Sequence, residues 1–439
     1  MRSDVMLNLT CLTRKPSTSA CLPISVVVNL VVAAILAGPR FAAAQTPGPG
    51  VPQITFSQEQ LMQVLARLNA TNGAPRGHGF VAMHNGYLAV LFSNDGGGGN
   101  GSGGFAFFDI SNPFLPRNVF TTHNNPAYGP NSGNDPGEIR EPHAFSFSGD
   151  HVCIPTRRGL QFWDFSQVGP PSNRPEKVGE IFQLPGVGGG DYTSTPWWVF
   201  WQGGRYVYVA GTTTGLHIVD ASNPAQPVMV DRGAGRPNPI PVSQTGGFRA
   251  GTVFAVGNLL VITGNDASGM ATFDISDPGN PVLTHLNGGD VGYSAMVNGN
   301  LILGAHDPAR VWRILDNNAV TFVDLAPDVG GRGGYGMFQD GYLHLGSSSV
   351  YLKLDIRTPG AYRAFGGLWP IDGGTDLDFA TAIGNLAFVG DDHGVASTYI
   401  TAHQREPDTT PPAVNMVVPR PDTVNQALTS RVGDRKSVV

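Results

Sequence analysis

The stretch GLHIVDASNPAQPVMV, Gly215 to Val230, decides the fold. A β-prone run ends at Asp220, the chain turns through Ala-Ser-Asn-Pro, and a second β-prone run begins. GFAFFDISNPFLPRNV from Gly104 and GMATFDISDPGNPVLT from Gly269 repeat the pattern. In each copy an acidic residue (Asp109, Asp220, Asp274) closes the strand, and the Ser and Asn or Asp that follow have short side chains able to bond nearby backbone. A proline (Pro113, Pro224, Pro278) then fixes φ and removes a donor, so the ladder cannot continue. Each unit is a hairpin with a built-in stop.

These residues resemble the LVIVD-repeat family of exported bacterial β-propeller proteins. LHIVDASNP at 216–224 is close to that family's signature, and FDISNP and FDISDP are near variants. The likeness spans roughly residues 77–403 at the level of repeats. It implies an architecture; the family has no common activity to carry over.

From Gly77 on, the same hairpin can be laid out seven times, including HVCIPTRRGLQFWD, YVYVAGTTTGLHIVD and YLHLGSSSVYLKLD, at intervals of about 40 to 56 residues. A strand precedes each one: GFVAMHN (79–85), HAFSFSG (143–149), WWVFWQG (197–203), AGTVFAVG (250–257), YSAMVNG (293–299), YGMFQDG (335–341) and DFATAIG (378–384). Most of these close on Gly or Asn-Gly, as a tight hairpin requires. The expectation is an all-β, seven-bladed β-propeller of four-stranded blades over residues 77–406.

The ends of the chain read differently. Residues 1–44 have the pattern of an export signal peptide: Arg14 and Lys15, the apolar run ISVVVNLVVAAILAG (24–38), and Ala42-Ala43-Ala44 before Gln45. Residues 45–76 are expected to hold a linker, a strand at 51–56 that completes the seventh blade, and one short N-terminal helix at 57–70. In that helix Leu61, Val64, Leu65 and Leu68 share a face and Ser57 is the N-cap. Residues 407–433 resemble the truncated start of a bacterial Ig-like domain. DRKSVV at 434–439 is what a common sequencing-adapter read would encode, and is set aside as an artefact.

Composition narrows the function. A formal charge of −6 with no basic patch argues against a nucleic-acid partner. After signal cleavage no membrane span is expected, so the location is secreted or cell-surface. Cys153 is the one cysteine left beyond the signal, so no intrachain disulfide is expected and Cys153 reads as a small apolar strand residue. No GxSxG, HExxH, CxxC or P-loop is present. The GxGxxG at Gly331, Gly333 and Gly336 leads into a strand rather than a helix, which removes the phosphate argument. No cofactor and no metal are expected: the loops at 93–104 and 390–394 are too poor in carboxylates for calcium and read as hairpin tips.

At or just before the first strand of each unit stand His78, His143, Trp197, Arg249, Tyr293, Tyr335 and Asp378. In a propeller such positions converge on one mouth of the central channel and form a candidate binding ring, although exposed polar strand starts also occur in purely structural propellers. Glu138, Arg140, Glu141 and Asp376 add ionisable groups to the same rim. Among Trp197, Trp198 and Trp201, stacking on sugar rings competes with packing between blades, which is the favoured role. The function expected is a non-catalytic recognition or scaffold module for an extracellular ligand, a carbohydrate or a protein. The alternative is a polysaccharide hydrolase or lyase, with His143, Arg249, Tyr293 and Asp378 as the residues to suspect.

Overall fold

The computed structural model describes residues 48–403, apart from 53, 58–60, 62, 70–77, 93–102, 130, 137, 138, 140–143, 171, 191, 267, 290, 305–309, 326–333, 340, 348, 359, 360, 362, 372–375 and 392–397. All of the described residues belong to one unit, residues 45–439. The expected signal peptide, Ig-like segment and terminal six residues lie outside them, as does most of each loop considered for calcium.

The described chain forms seven four-stranded antiparallel sheets, six of them built from strands consecutive in sequence. Each sheet is one blade of a propeller. The innermost strands, from blade 1 to blade 7, are His78–His84, Ser146–Ser148, Trp198–Gln202, Ala250–Val256, Ala295–Asn298, Gly336–Gln339 and Phe379–Ile383. The strand-ending carboxylates act as the sequence suggests. Asp109, Asp164, Asp220, Asp274 and Asp355 each accept the backbone N–H of the residue two positions on, at 2.7–3.1 Å. This turn satisfies a donor that the ending ladder would otherwise leave unpaired. At the inner hairpin of blade 1, Asn85 and Gly86 both have positive φ and His84 pairs with Tyr87, as a two-residue type I′ turn requires.

Blades pack face to face through separate apolar clusters. Phe105, Phe107, Trp163 and Phe165 join blades 1 and 2; Leu216, Ile218, Val253 and Phe273 join blades 3 and 4. Each large side chain buried in this way contributes roughly 1.5–3 kcal/mol. Cys153 is wholly buried in the cluster between blades 2 and 3, and burial pushes its thiol pKa well up. Turn side chains also reach across the seams: Asn85 Nδ2 donates to the Val168 carbonyl, Gln202 Nε2 to Gly257 and Gln339 Nε2 to Gly384.

The interface between blades 6 and 7 is more polar. Lys353 is fully buried, with Nζ 4.0 Å from the Tyr342 ring centroid and 3.4 Å from His403 Nδ1. His344, beside it, bonds the Tyr351 hydroxyl through Nδ1 at 2.5 Å. Burial, and then the proximity of His403 and Lys353, hold His344 neutral, well below its ordinary pKa.

The N-terminal segment corrects two expectations. Residues Val64–Leu68, expected as helix, are a β-strand that pairs antiparallel with Thr398–Ala402 and supplies the fourth strand of blade 7. The expected closing strand at 51–56 does not form one over its described residues; there the Ile54 carbonyl accepts Asn385 Nδ2 at 2.9 Å and Phe56 packs on the cluster between blades 7 and 1. The helical apolar stripe is divided between two seams instead. Leu68 and Leu65 enter the cluster joining blades 7 and 1, while Leu61 packs against that joining 6 and 7. An open sheet edge offers this segment both hydrogen bonds and two apolar surfaces, which outweighs a weak helical propensity.

Replacing the fully buried Leu68 with Ala should destabilise the protein by about 2–5 kcal/mol in equilibrium denaturation. Acid should act through the strand-ending carboxylates. Hydrogen bonds from Arg357 hold Asp355 at about 2 despite its burial. For Asp109 and Asp220, bonds from the Ser two positions on and from Arg117 or Arg205 outweigh a desolvation that alone would raise them, and both are lowered. A depressed folded pKa gives stability that is present above the unfolded value of about 4 and lost as pH falls through the folded one. Denaturation midpoints measured between about pH 4 and pH 2 should therefore fall less steeply in Asp355→Asn than in the parent.

Candidate functional site

The residues expected to ring the channel mouth separate into three environments, and His143, with its neighbours Glu138, Arg140 and Glu141, lies outside the described residues. His78 and Asp378 serve seams. His78 is fully buried, its Nδ1 lies 3.1 Å from Thr398 Oγ1, and its backbone N–H donates to the Asp391 carbonyl, which ties blade 1 to blade 7. Burial lowers its pKa to about 3, so the ring is neutral. The Asp378 carbonyl accepts the Tyr335 N–H at 2.6 Å, linking blades 7 and 6, and its side chain is half-buried.

Trp197, Tyr293 and Tyr335 meet on the axis. Phe80, Trp198 and Phe379 join them in one cluster drawn from blades 1, 3, 5, 6 and 7. Tyr335 stacks on Phe379 at 4.9 Å and on Trp198 at 5.6 Å, and lies 5.9 Å from Tyr293. Its hydroxyl accepts the Trp197 indole N–H at 2.8 Å, a bond between blades on opposite sides of the hub. Edge-to-face contacts of Phe80 with Trp198 and Phe379 complete the arrangement, so this end of the channel holds a packed aromatic plug. Trp198 points to packing rather than to a sugar, and Trp201 is buried between blades 2 and 3.

Arg249 stands apart from the plug, at the open end of blade 4. It lines a solvent-open groove of about 430 Å³ with Gly246, Gly247, Phe248, Asp266, Ser268, Leu286, Asn287 and Gly288. Three segments make this groove: the approach to the inner strand, the loop between the second and third strands, and the end of the outer strand. The register Ala250 to Gly264 and Gly269 to Gly288 brings them to one edge of the sheet. Arg249 is fixed there from three sides. Its Nε donates to Asn265 Oδ1 at 2.9 Å, its Nη2 to Asp266 Oδ2 at 3.3 Å, and its guanidinium lies 5.5 Å from the Tyr192 ring. Tyr192 is 51% exposed and meets Trp197 edge-on at 6.5 Å, so a line of contacts runs from the groove to the hub.

Tyr192, Phe248, Asp266 and Asn287 were not singled out from sequence. Asp266 had a visible signal, since GNDASG occupies the same loop of its repeat as TRRG and GTTTG. Tyr192 had none, because it belongs to a connection between blades with no counterpart in the repeat. Among the described residues no group of three or more His, Cys, Asp or Glu is gathered as for a metal ion.

A seven-bladed propeller with a filled hub and a polar groove at one blade end has the architecture of a binding or scaffold module. The family comparison is more particular: residues 201–233, most of blade 3, match the family described as LVIVD repeat. Among solved structures the chain is similar to the β-propeller domain of Cps50 (Swd1) from Myceliophteria thermophila, with 10% identity, a TM-score of 0.47, and coverage of 75% of this chain and 100% of that one. No curated protein matches.

Tyr335→Phe keeps the ring stack but takes the acceptor from a buried indole N–H. It should cost about 1–3 kcal/mol in denaturant titration, while leaving the far-ultraviolet spectrum unchanged.

Proposed function

We propose that this protein is an exported, non-catalytic recognition module that acts at or outside the cell surface and holds its ligand in the blade 4 groove. The groove carries the reading. It places a guanidinium, a carboxylate, an amide and a hydroxyl beside two apolar side chains in a cavity of about 430 Å³, within the range of about 300–1,000 Å³ usual for small-ligand sites. Arg249 is held by Asn265, Asp266 and Tyr192 before any ligand arrives, so little ordering is left for binding to drive. The aromatic plug turns the ligand away from the axis, because its rings already occupy the place where a channel-mouth ligand would sit. Export is supported by the charged, apolar and small-residue pattern of residues 1–44, and the net charge of −6 supports a partner other than nucleic acid.

The test is calorimetric titration of the purified protein with panels of polysaccharides, oligosaccharides and peptides, with product release followed in parallel. Binding without turnover that is weakened at least about tenfold in Arg249→Ala is the expected result. Turnover that disappears in His143→Ala or Asp378→Asn would replace this reading with that of a polysaccharide hydrolase or lyase.

A further inference from the structure

We propose that the blade 4 groove is a subsite for a neutral sugar ring, whose hydroxyls bridge Arg249 and Asp266 while its C–H face rests on Phe248 and Leu286. The inference rests on the reading of this groove as the ligand site.

The charge balance of the groove argues for a neutral ligand. Asp266 Oδ2 already receives Arg249 Nη2, so the two ionised groups of the groove compensate each other. An anion would have to compete with Asp266 for the guanidinium, and a cation would have to compete with Arg249 for the carboxylate. A ligand that both donates and accepts faces no such competition. Two of the five guanidinium N–H donors are taken, by Asn265 and Asp266, which leaves N–H groups directed elsewhere. Adjacent hydroxyls of a sugar can accept from Arg249 and donate to Asp266 together, and both bonds gain from the ionised partner. The Asn287 amide, on the same lining, offers donors and an acceptor, while the Ser268 hydroxyl donates to Asp266 Oδ1 and offers only its acceptor side, leaving Asp266 Oδ2 as the carboxylate oxygen for a ligand hydroxyl.

The apolar side of the groove is equally specific. Phe248 is held on two sides by glycines: a Cβ on Gly246 would lie 2.3 Å from its ring and one on Gly269 2.6 Å. A side chain at either position would crowd the ring, so the two glycines make room for it at the groove. Leu286, on the adjoining strand, is 48% exposed. A lining that combines an aromatic ring and a leucine with a guanidinium, a carboxylate and an amide matches a pyranose ring, which has apolar C–H faces and a hydroxylated rim. Gly288 closes the lining, and a Cβ there would meet nothing within 4 Å, so this edge of the groove is open.

The experiment titrates the purified protein with oligosaccharides of glucose, xylose, mannose and galactose, with oligomers of galacturonate and guluronate, and with a peptide panel. Two variants accompany it. Arg249→Met removes the donors and keeps the stem. Gly288→Trp fills the groove from a position where a side chain has room, and its unfolding transition serves as the folding control. At least one neutral oligosaccharide should bind, with affinity lowered about tenfold or more in Arg249→Met and lost in Gly288→Trp. Raising salt to about 0.5 M should change that affinity less than twofold, since no net charge is neutralised. Binding of the uronate oligomers or of peptides alone, still blocked by Gly288→Trp, would overturn the neutral-sugar inference and leave the groove as the ligand site. Binding that both variants leave untouched, or no binding by any probe, would overturn the groove reading as well.

Discussion

Each blade buries both of its faces against its neighbours, and that burial is complete only if the ring closes. The chain contains no described disulfide to hold it, since its described cysteine, Cys153, is free. Closure falls to Val64–Leu68, which is hydrogen-bonded to Thr398–Ala402 across more than three hundred residues of sequence. That pairing covers the edge of blade 7, and the Leu68 side chain enters the cluster shared by blades 7 and 1. His78, Thr398 and the Asp391 carbonyl reinforce the seam one layer further in. Loop-closure entropy rises only slowly with chain length, so a few well-packed strand pairs suffice to join the two ends.

The ring also determines where open space is left. With seven inner strands around one axis, the side chains at their starts either line a channel or fill it. Here Phe80, Trp197, Trp198, Tyr293, Tyr335 and Phe379 fill it, and the bond from Trp197 to Tyr335 ties opposite sides of the hub. Open space lies outward at blade 4, where the ladder ends and the sheet edge leaves room beside Arg249. Tyr192 touches both regions. Arg249 is held in the groove by Asn265, Asp266 and the Tyr192 ring rather than by the hub itself.

Buried polar groups occur where the ring needs specific contacts. Lys353 is buried between Tyr342 and His403, where an aromatic face and a ring nitrogen stand in for water. The cross-seam bonds of Asn85, Gln202 and Gln339 distinguish one rotational setting of neighbouring blades from another, which apolar packing alone does far less well.

What the sequence determined by itself is the local part: strand, turn and blade count. Those features are set by neighbours in the chain, such as Asp220 accepting the Ser222 N–H, or Asn85-Gly86 adopting positive φ, and such interactions are the same wherever the unit sits. The strand starts of the seven units were legible for that reason, and Arg249 could be placed at a blade end. Tertiary structure decided everything that depends on distant partners. Residues 64–68 carry a helical pattern and form a strand because the open edge of blade 7 pairs with them. The six described positions of the seven equivalent ones became seam residues, plug residues and a groove residue, because what each meets is set by other blades. Periodicity records which side of a strand faces inward; which residue it meets there is fixed only when the circle closes.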